Sequence, residues 1–452
     1  MNAEQLIKKY ENNCELIEFW TNNSKNETII HENKKLKSYI KSSSSGISAR
    51  VLLKGCYGFA STNNEKNAEK TLKTAIKLAK NFSKLKKNKT KLKDFEINKK
   101  NFKQKIKKNP FLIQEKEKIS FLKDFNNSFD FKEIKNNETT ISFSQKNSQY
   151  INSKKSNVKQ EVYYAQLYNE LIAGNPIENI RSIRRAKTGY ELLNFNYEKF
   201  AKKSSEKIKQ LINSKQAKPG KYDVILDPEI CGTFFHEAIG HALEADALKE
   251  KSTCVSLGEQ ISTEELNLYD NPTLKNYWGS YEYDDEGIKA KKNPLIIKGK
   301  IINFINDLPN YFELNGLKKT ANARMQSIHD CPIPRMSNTQ VKKGNYSTQE
   351  LIEKKKNGIL LKGFGGGAVE PLTGIFSFKA VQAFIIKNGK ITTPCKGASL
   401  SGDLKQVLKN ITGIGKEITN TFSGGMCGKK SQSVPVSESV PHISVRNINV
   451  TN

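Results

Sequence analysis

The sequence has no apolar run long enough to cross a membrane. A spanning helix needs about 18 or more consecutive apolar residues, and no stretch of the 452 residues approaches that length. The first residues, MNAEQLIKKYENNCELIEFW, are amphipathic and include acidic side chains, which a secretory signal lacks. We therefore expect neither membrane association nor secretion.

Cysteines are few and scattered. The seven cysteines are odd in number, widely separated and never arranged as Cys-x-x-Cys. This pattern does not build a disulfide framework and is typical of proteins in a reducing compartment. Together with the missing secretion signal, it predicts a cytoplasmic protein.

Acidic residues are scarce relative to basic ones. The chain has 46 Asp and Glu against 75 Lys and Arg, a net charge of +29. Such an excess is compatible with binding to nucleic acid. Much of it is local, however, because residues 61–110 hold 17 Lys against four acidic residues. We interpret the excess as a solvated surface and do not expect nucleic acid as a partner.

The length favours two domains, and the texture of the sequence changes near residue 215. Residues 1–215 mix helical and strand-like patterns, which predicts an N-terminal α/β domain. Apolar residues at helical spacing predict an opening helix over 4–20. The Lys/Asn-rich stretch 84–110 is nearly featureless and is expected to be a solvated linker or insertion.

Residues 216–452 form the second predicted domain. Short apolar runs alternate there with Gly, Asn and Pro turns, which predicts a β-rich fold carrying one histidine-bearing helix. Residues 385–391, with the pair Asn388-Gly389, predict a β-hairpin. The expected fold class is therefore α+β.

Only five histidines occur in the chain, and two of them belong to the segment H-E-x-x-x-H formed by His236, Glu237 and His241. Imidazoles bind zinc, and an adjacent carboxylate can accept a proton from water. On a regular helix, residues five apart point about 140° away from each other, because each residue turns about 100°. A shared metal therefore requires a bulge or a break, and Gly240 is the expected place.

A catalytic zinc site needs a third protein ligand, and the spacing leaves several candidates open. Cys427 is favoured, because flanking glycines let backbone approach closely and nearby lysines favour a thiolate. The other candidates are Cys231, Cys254, Cys331, Cys395, His329 and His442. Glu244 and Asp246 are candidates for groups that hydrogen-bond the ligands.

Two further motifs are candidate substrate contacts. The run Gly365, Gly366 and Gly367 exposes backbone groups with which an extended peptide can pair as an added strand. It matches no phosphate-binding pattern. Arg335 is a candidate for holding a carboxylate of the substrate. A tight structural turn and a structural ion pair are the respective alternatives.

Five segments together resemble the TldD/PmbA metalloprotease family, in its TldD branch. They are SSSSGISARVLLKGCYGFASTN at 42–63, HEAIGHALEAD at 236–246, RMSNT at 335–339, GFGGGAVEPLTGIFSF at 363–378 and MCGKKSQSVPV at 426–436. The resemblance covers nearly the whole chain apart from 84–110. It is far more specific than the two histidines alone.

The resemblance implies a zinc-dependent peptidase in which His236, His241 and Cys427 bind Zn²⁺ and Glu237 is the general base. It also implies a homologous PmbA/TldE-like partner subunit that lacks the metal motif. The two subunits would enclose a cleft for an unfolded or extended peptide. The chain departs from the family's C-G-K-D-G-Q segment after Cys427, where it has Lys430-Ser431 in place of Asp-Gly.

A non-enzymatic protein that associates with nucleic acid or modulates gyrase is the alternative function. Older descriptions of the same family take this view, and the net charge of +29 is compatible with it. It would require positive charge gathered on one face and an affinity for DNA that falls steeply with salt.

Overall fold

The structure is a computed structural model. It describes residues 2–85, 89–418 and 423–452. The architecture is α+β and rich in strands, as the sequence predicts. Among the described residues, no helix combines the length and apolarity that crossing a membrane would need. The seven cysteines are all free thiols.

The N-terminal half consists of helices packed on one sheet. The helices are α1 (Ala3–Tyr10), α2 (Ala68–Leu85), α3 (Glu115–Asn127) and α4 (Tyr197–Asn213). The strands are β1 (Leu16–Glu32), β2 (Lys35–Leu53), β3 (Cys56–Thr62), β4 (Lys99–Lys103), β5 (Ile134–Asn152), β6 (Asn157–Ala173) and β7 (Glu178–Ala186). They pair in the order β3-β2-β1-β5-β6-β4, and β7 pairs with the rest of β6.

The two faces of this sheet differ in chemistry, because side chains alternate along a strand. One face buries apolar residues such as Phe19 and Leu167 beneath the helices. The other face carries small polar side chains and faces the C-terminal half; among them are Asn22, Ser24, Asn26, Ser144 and Ser148. The sheet therefore has an apolar side, which packs against the helices, and a polar side.

Two expectations for this half are wrong. The opening helix ends at Tyr10, and the chain is extended from Leu16. Residues 16–20 are all buried, so their apolar run carries no period that would distinguish strand from helix. The supposed linker 84–110 contains β4, whose lysines are largely exposed at the sheet edge, where charged side chains commonly occur. Residues 86–88 of that stretch lie outside the described residues.

The C-terminal half begins at β8 (Gly220–Leu226). Its helices are α5 (Pro228–Phe234), α6 (Ala245–Glu250), α7 (Leu308–Glu313), α8 (Thr348–Lys354) and α9 (Leu404–Lys409). Its further strands are β9 (Leu268–Asp270), β10 (Asn293–Ile297), β11 (Lys300–Ile301), β12 (Ala323–Arg324), β13 (Ile333–Pro334), β14 (Asn338–Val341), β15 (Gly358–Val369), β16 (Ile375–Lys387), β17 (Lys390–Lys396), β18 (Ser399–Asp403), β19 (Ile411–Ile414), β20 (Gly425–Lys429), β21 (Gln432–Ser439) and β22 (Ile443–Thr451).

Two sheets organise these strands. Strands β15, β8, β22, β18 and β16 pair in succession, and β16 pairs back with β15, so they close into a ring around the main apolar core. A second sheet has the order β11-β10-β9-β14-β21-β20. The predicted hairpin is confirmed: β16 and β17 are joined at Asn388 and Gly389, whose φ angles of 49° and 71° suit a tight hairpin turn.

Arg50 of β2 joins the two halves. Its guanidinium donates to Glu18 of β1 at 2.5 and 2.8 Å and to Glu286 of the C-terminal half at 2.6 Å. All three side chains are at most 1% exposed. This buried cluster fixes the N-terminal sheet against the C-terminal half, with the polar side of the sheet turned inward.

Candidate metal centre

The histidine-bearing segment starts at the end of a ring strand. After β8, the Asp227 carboxylate accepts hydrogen bonds from the N–H groups of Glu229 and Ile230, both at 3.1 Å. Pro228 occupies the first helical turn. An Asp cap followed by proline is a strong helix start, so the beginning of α5 is fixed at the edge of the ring.

The helix changes its winding where the two histidines lie. Residues Phe235–Gly240 form a π-helical turn, and the N–H of His241 donates to the carbonyl of His236, five residues back. Residues five apart are then one turn apart, so both rings lie on the same side. Their centroids are 5.3 Å apart. The irregularity expected between Glu237 and His241 is confirmed.

Gly240 has a different role from the one expected. Its φ of −61° is ordinary for a helix, so the turn does not depend on the conformational freedom of glycine. A Cβ at this position would instead overlap the sulfur of Met336. Gly240 is therefore needed for close packing of the π turn against the loop that contains Met336.

Cys427 reaches the histidines from a distant hairpin. β20 and β21 pair antiparallel, and the Sγ of Cys427 lies 3.3 Å from Nε2 of His241. One ligand atom from each of Cys427, His236 and His241 lies within 4.8 Å of the other two. Burial raises the pKa of this thiol, but the two imidazoles outweigh that effect and lower the pKa to about 5. A thiolate is therefore favoured at neutral pH.

The environment of His236 fits a metal ligand. The side chain is 2% exposed, and neither ring nitrogen has a hydrogen-bond partner among the described residues. Buried polar atoms without partners are costly. A metal ion held by two imidazoles and one thiolate would bind one of these two nitrogens, and this donor set suits zinc with a fourth position left open.

A carboxylate and a lysine stand behind the second histidine. Oε2 of Glu244 lies 2.9 Å from Nδ1 of His241, which leaves Nε2 directed at the ligand cluster. Nζ of Lys429 lies 2.9 Å from the same carboxylate and 2.6 Å from Asp246. Burial opposes ionisation of Glu244, but the charges of His241 and Lys429 lower its pKa to about 2. Glu244 is thus an ionised acceptor that orients the imidazole.

Glu237 lies at the open side of the cluster. Its side chain is 41% exposed, and its Oε2 is 3.9 Å from Nε2 of His241. The carboxylate is therefore accessible to solvent and also close to the ligand atoms. This position suits proton exchange with a water molecule between them.

The structure does not place Arg335 where a substrate would meet it. The side chain is fully buried. Its guanidinium donates to the backbone carbonyl of Cys427 and, at 3.3 Å, to that of Gln432. The expected contact with a substrate carboxylate is therefore wrong, because Arg335 serves the hairpin that positions Cys427.

The three glycines lie on β15, beside the helix. Up to Leu361 this strand pairs with β8 on one side and β16 on the other. Beyond that point, Gly366 and Gly367 pair with β16, Gly365 lies in a bulge between Phe364 and Gly366, and β8 no longer pairs with the strand among the described residues. Gly366 has φ of 125°, in the region that favours glycine. The glycine segment therefore presents a free strand edge.

The remaining candidate ligands are not part of the one ligand cluster found in the described part of the chain. They are Cys231, Cys254, Cys331, Cys395, His329 and His442. The lysines after Cys427 were expected to favour its thiolate, but the ammonium of Lys429 contacts Glu244 and Asp246 instead; Met336 was not expected at the site. Lys429 follows Cys427 by two residues on the same strand, and alternation places both side chains on one face. This spacing could have predicted that Lys429 lies beside the ligands. No sequence pattern indicates that Met336 packs on Gly240.

Comparisons with known proteins identify metallopeptidase relatives of the chain. Residues 219–452 match the family described as PmbA/TldA metallopeptidase C-terminal domain, and residues 22–79 match domain 1 of the same family. A metalloprotease of Methanothermobacter thermautotrophicus is 31% identical, over 98% of this chain and 96% of that protein. A protein of Saccharolobus solfataricus, named zinc metalloprotease TldD homolog, is 32% identical over 61% of this chain and 62% of its own length.

A solved structure shares the fold. It is that of a Thermotoga maritima protein named as a modulator of a DNA gyrase, with a TM-score of 0.81 and 19% identity. The match covers 99% of this chain and 98% of that chain. At this identity the likeness shows the architecture alone.

Proposed function

The chain belongs to the TldD/PmbA metallopeptidase family, and from that premise we propose that it is a zinc-dependent peptidase acting on unfolded or extended peptides, the TldD-like catalytic subunit of a heteromeric protease. The observation that carries the proposal is the convergence of His236, His241 and Cys427 beside Glu237. The orphaned nitrogens of His236 and the mixed nitrogen and sulfur donor set support zinc.

The chain's own groups prepare the ligands. When bound, zinc supplies Lewis-acid chemistry, since it acidifies water and polarises a carbonyl. Cys427 offers a thiolate because the neighbouring imidazoles keep its pKa low. Glu244 accepts the Nδ1–H of His241 and holds the ring in the tautomer that leaves Nε2 free to bind. Arg335 holds the carbonyl of Cys427 and so fixes the hairpin.

Glu237 is proposed as the general base. Its carboxylate is 3.9 Å from Nε2 of His241 and open to solvent. It takes a proton from the attacking water and then delivers that proton to the leaving nitrogen of the peptide. The first transfer needs the ionised carboxylate and the second needs its acid form, and one solvent-exposed Glu can supply the two forms in turn.

The substrate is proposed to lie along the glycine segment of β15. The edge of Gly365–Gly367 opposite β16 has no strand partner among the described residues. Nearby, the N–H of Gly363 is already used by Asp227 and that of Phe364 by Glu229. An extended peptide would therefore pair with the free part of the edge, close to the helix that carries His236.

The partner is proposed to be a homologous PmbA/TldE-like subunit without the metal motif, in the cytoplasm. Leu372, in the connection between β15 and β16, and Ile375, at the start of β16, expose more than half of their surface. Exposed apolar side chains of this size favour a protein contact there. The free thiols of all seven cysteines favour a reducing compartment.

Replacing the base tests the proposal. We expect Glu237→Gln to retain one zinc per chain, because the ligands are untouched, and to lose hydrolysis of an unfolded peptide by about 100-fold or more. Metal content and peptide cleavage are measured on the protein with and without its partner subunit. Glu264→Gln, an exposed carboxylate without an ion pair in the described structure, is the matched control and should leave both unchanged.

Unchanged cleavage by Glu237→Gln would remove Glu237 as base. Absence of zinc from the wild-type protein, together with DNA binding that falls steeply with salt, would favour the nucleic-acid alternative. That alternative otherwise rests on the net charge and on the name of the Thermotoga protein, whose likeness shows only the fold.

A further inference from the structure

A cleft of about 450 Å³ separates the polar side of the N-terminal sheet from the C-terminal half. We call it the interdomain cleft. Met426 and Pro435 of the β20–β21 hairpin line one part of it. Neighbouring residues on a strand face opposite sides, so Met426 faces the cleft while Cys427 faces the histidines. The metal centre and the interdomain cleft thus share one hairpin.

Lys187 supplies an unpaired charge to the interdomain cleft. The residue is 6% exposed, and its ammonium has no hydrogen bond or ion pair among the described residues. The ring of Phe102 lies 5.7 Å away. Burial lowers the pKa of Lys187 to about 8; Glu282 opposes this shift, and the charges of Arg324 and Lys146 add to it. An isolated buried ammonium is costly unless an anion accompanies it.

Two further donors in the interdomain cleft also lack a full set of partners. Arg324 is 6% exposed and donates to the carbonyl of Met336 at 2.6 Å, but it forms no ion pair within the described residues. The indole Nε1 of Trp278 is buried without an acceptor. Both residues line the interdomain cleft. Three donors from three separate segments therefore remain incompletely satisfied at one place.

The acidic residues of the interdomain cleft do not neutralise these donors. Asp284 accepts backbone N–H groups at both carboxylate oxygens, from Ile288 at 2.9 Å and from Ala323 at 3.2 Å among others. Asp285 accepts the N–H of Met325 at 2.8 Å. Asp284 is thus bonded to the backbone at both oxygens and Asp285 at one. Neither carboxylate forms an ion pair with Lys187 or Arg324 among the described residues, which leaves both cations available to a ligand.

We propose that the interdomain cleft binds a carboxylate group of the peptide substrate, with Lys187, Arg324 and Trp278 as its donors. The proposal rests on the proposed peptidase function. It gives the enzyme a preference for peptides that present a carboxylate to this cleft. The carboxylate comes from an acidic side chain or from the C-terminus of the peptide, since both present the same two oxygens to charged and neutral donors. The polar side of the sheet, with its serines and asparagines, forms the opposite wall and accommodates backbone.

Peptide binding to a hydrolysis-deficient protein tests this site. Three fluorescent peptides of one sequence are compared on full-length Glu237→Gln protein at physiological salt: one with Glu and an amidated C-terminus, one with Gln and an amidated C-terminus, and one with Gln and a free C-terminus. We expect at least one carboxylate-bearing peptide to bind about tenfold or more tightly than the doubly neutral one. The better binder identifies the source of the carboxylate.

Variants separate the site from the general positive charge. Lys187→Met should abolish the preference, and Lys187→Arg should keep it because the charge remains. Lys343→Met, which removes an exposed lysine outside the interdomain cleft, should leave it unchanged. Thermal unfolding checks that each variant is folded. If Lys187→Met does not fold, Trp278→Phe takes its place and should weaken binding of the preferred peptide severalfold.

Equal affinities for the three peptides would overturn the proposal, as would a preference that persists in Lys187→Met. Binding of inorganic phosphate is followed by tryptophan emission, and Trp278→Phe should abolish that signal if it comes from the cleft. Saturable binding of phosphate without any preference among the peptides would also overturn the proposal and indicate a site for small anions. Because binding is measured without hydrolysis, and on protein with and without zinc, this result is independent of whether the metal centre cleaves peptides.

Discussion

Two buried ionic clusters of this molecule use similar side chains for different ends. At the joint between the halves, Arg50 is held between Glu18 and Glu286. Beside the metal centre, Lys429 is held between Glu244 and Asp246. Both place one cation between two carboxylates. They differ in the other groups to which the carboxylates are hydrogen-bonded.

In the joint cluster, every neighbour is structural. Glu18 also accepts the hydroxyl of Tyr150 at 2.8 Å, and Glu286 accepts the N–H of Leu308 at 2.6 Å. The guanidinium of Arg50 lies 5.3 Å from the ring of Trp20 and 5.0 Å from that of Tyr57. The cluster is buried, and its partners in the described part of the chain are structural groups of the two halves, so its role is to hold the halves together.

In the ion cluster beside the metal centre, which we call the metal cluster, one carboxylate contacts a metal ligand directly. Glu244 accepts from His241, and its other oxygen, Oε1, has no partner in the described residues. Lys429 keeps 15% of its side chain exposed. This cluster is therefore less completely bonded than the joint, and its geometry is directed at one imidazole. The comparison indicates that a buried ion cluster is functional when one of its bonds leads to a reactive group.

Breaking the joint should produce the largest effect on stability. Arg50→Met leaves two buried carboxylates without their cation, and removing one partner of a buried ion cluster costs about 3–5 kcal/mol. Urea unfolding measures the loss, and metal analysis of the folded fraction should still find one zinc per chain. Arg446→Met, which removes an exposed arginine, is the matched control and should change stability by less than about 0.5 kcal/mol.

A loss below about 1 kcal/mol for Arg50→Met would mean that the joint contributes little net stability, as buried ion pairs sometimes do. A parallel loss of zinc would mean that the joint also positions the ligands. Either outcome would break the distinction between the two clusters.

Neutralising the carboxylate behind His241 should affect metal binding instead. Glu244→Gln keeps the shape of the side chain but removes the charge that orients and polarises the imidazole. Zinc affinity should fall by about 10- to 100-fold, as measured by competition with a chelator. Glu250→Gln alters an exposed carboxylate whose one ion pair in the described structure is with Lys430, and it should leave the affinity unchanged. Wild-type affinity in Glu244→Gln would place this cluster in the same structural class as the joint.

The sequence predicted the site better than the joint, for a physical reason. The H-E-x-x-x-H spacing is local, so elementary helix geometry already required a bulge or a break for a shared metal, and the structure shows a π turn at Phe235–Gly240. Arg50 and Glu286 are 236 residues apart, and no periodicity connects them. The acceptors of Arg335 are backbone carbonyls, which every residue type offers. Strand β4 was missed because lysines at a sheet edge resemble those of a solvated linker.

The smallest expected effect concerns the turn that carries Lys430 and Ser431. These residues connect β20 to β21 and have φ angles of 48° and 61°, both left-handed. A two-residue turn of this kind favours glycine at its second position, and a left-handed conformation costs other residues about 1 kcal/mol. Lys430 is retained by ion pairs with Asp246 at 3.2 Å and Glu250 at 2.7 Å, whereas Ser431 has no such contact in the described structure.

Ser431→Gly should therefore stabilise the protein by about 0.5–1 kcal/mol, visible as a small rise in the thermal unfolding temperature. Zinc affinity should stay within about twofold, because the strain lies in the turn and the positions of Cys427 and Lys429 are fixed separately by Arg335 and Glu244. Ser433→Gly, two residues further along in β21, should instead destabilise by a similar amount, because glycine weakens a strand interior. Opposite signs for the two serines would show that the turn relaxes independently of the metal cluster. If Ser431→Gly changes both stability and zinc affinity, the turn helps to set the position of Cys427.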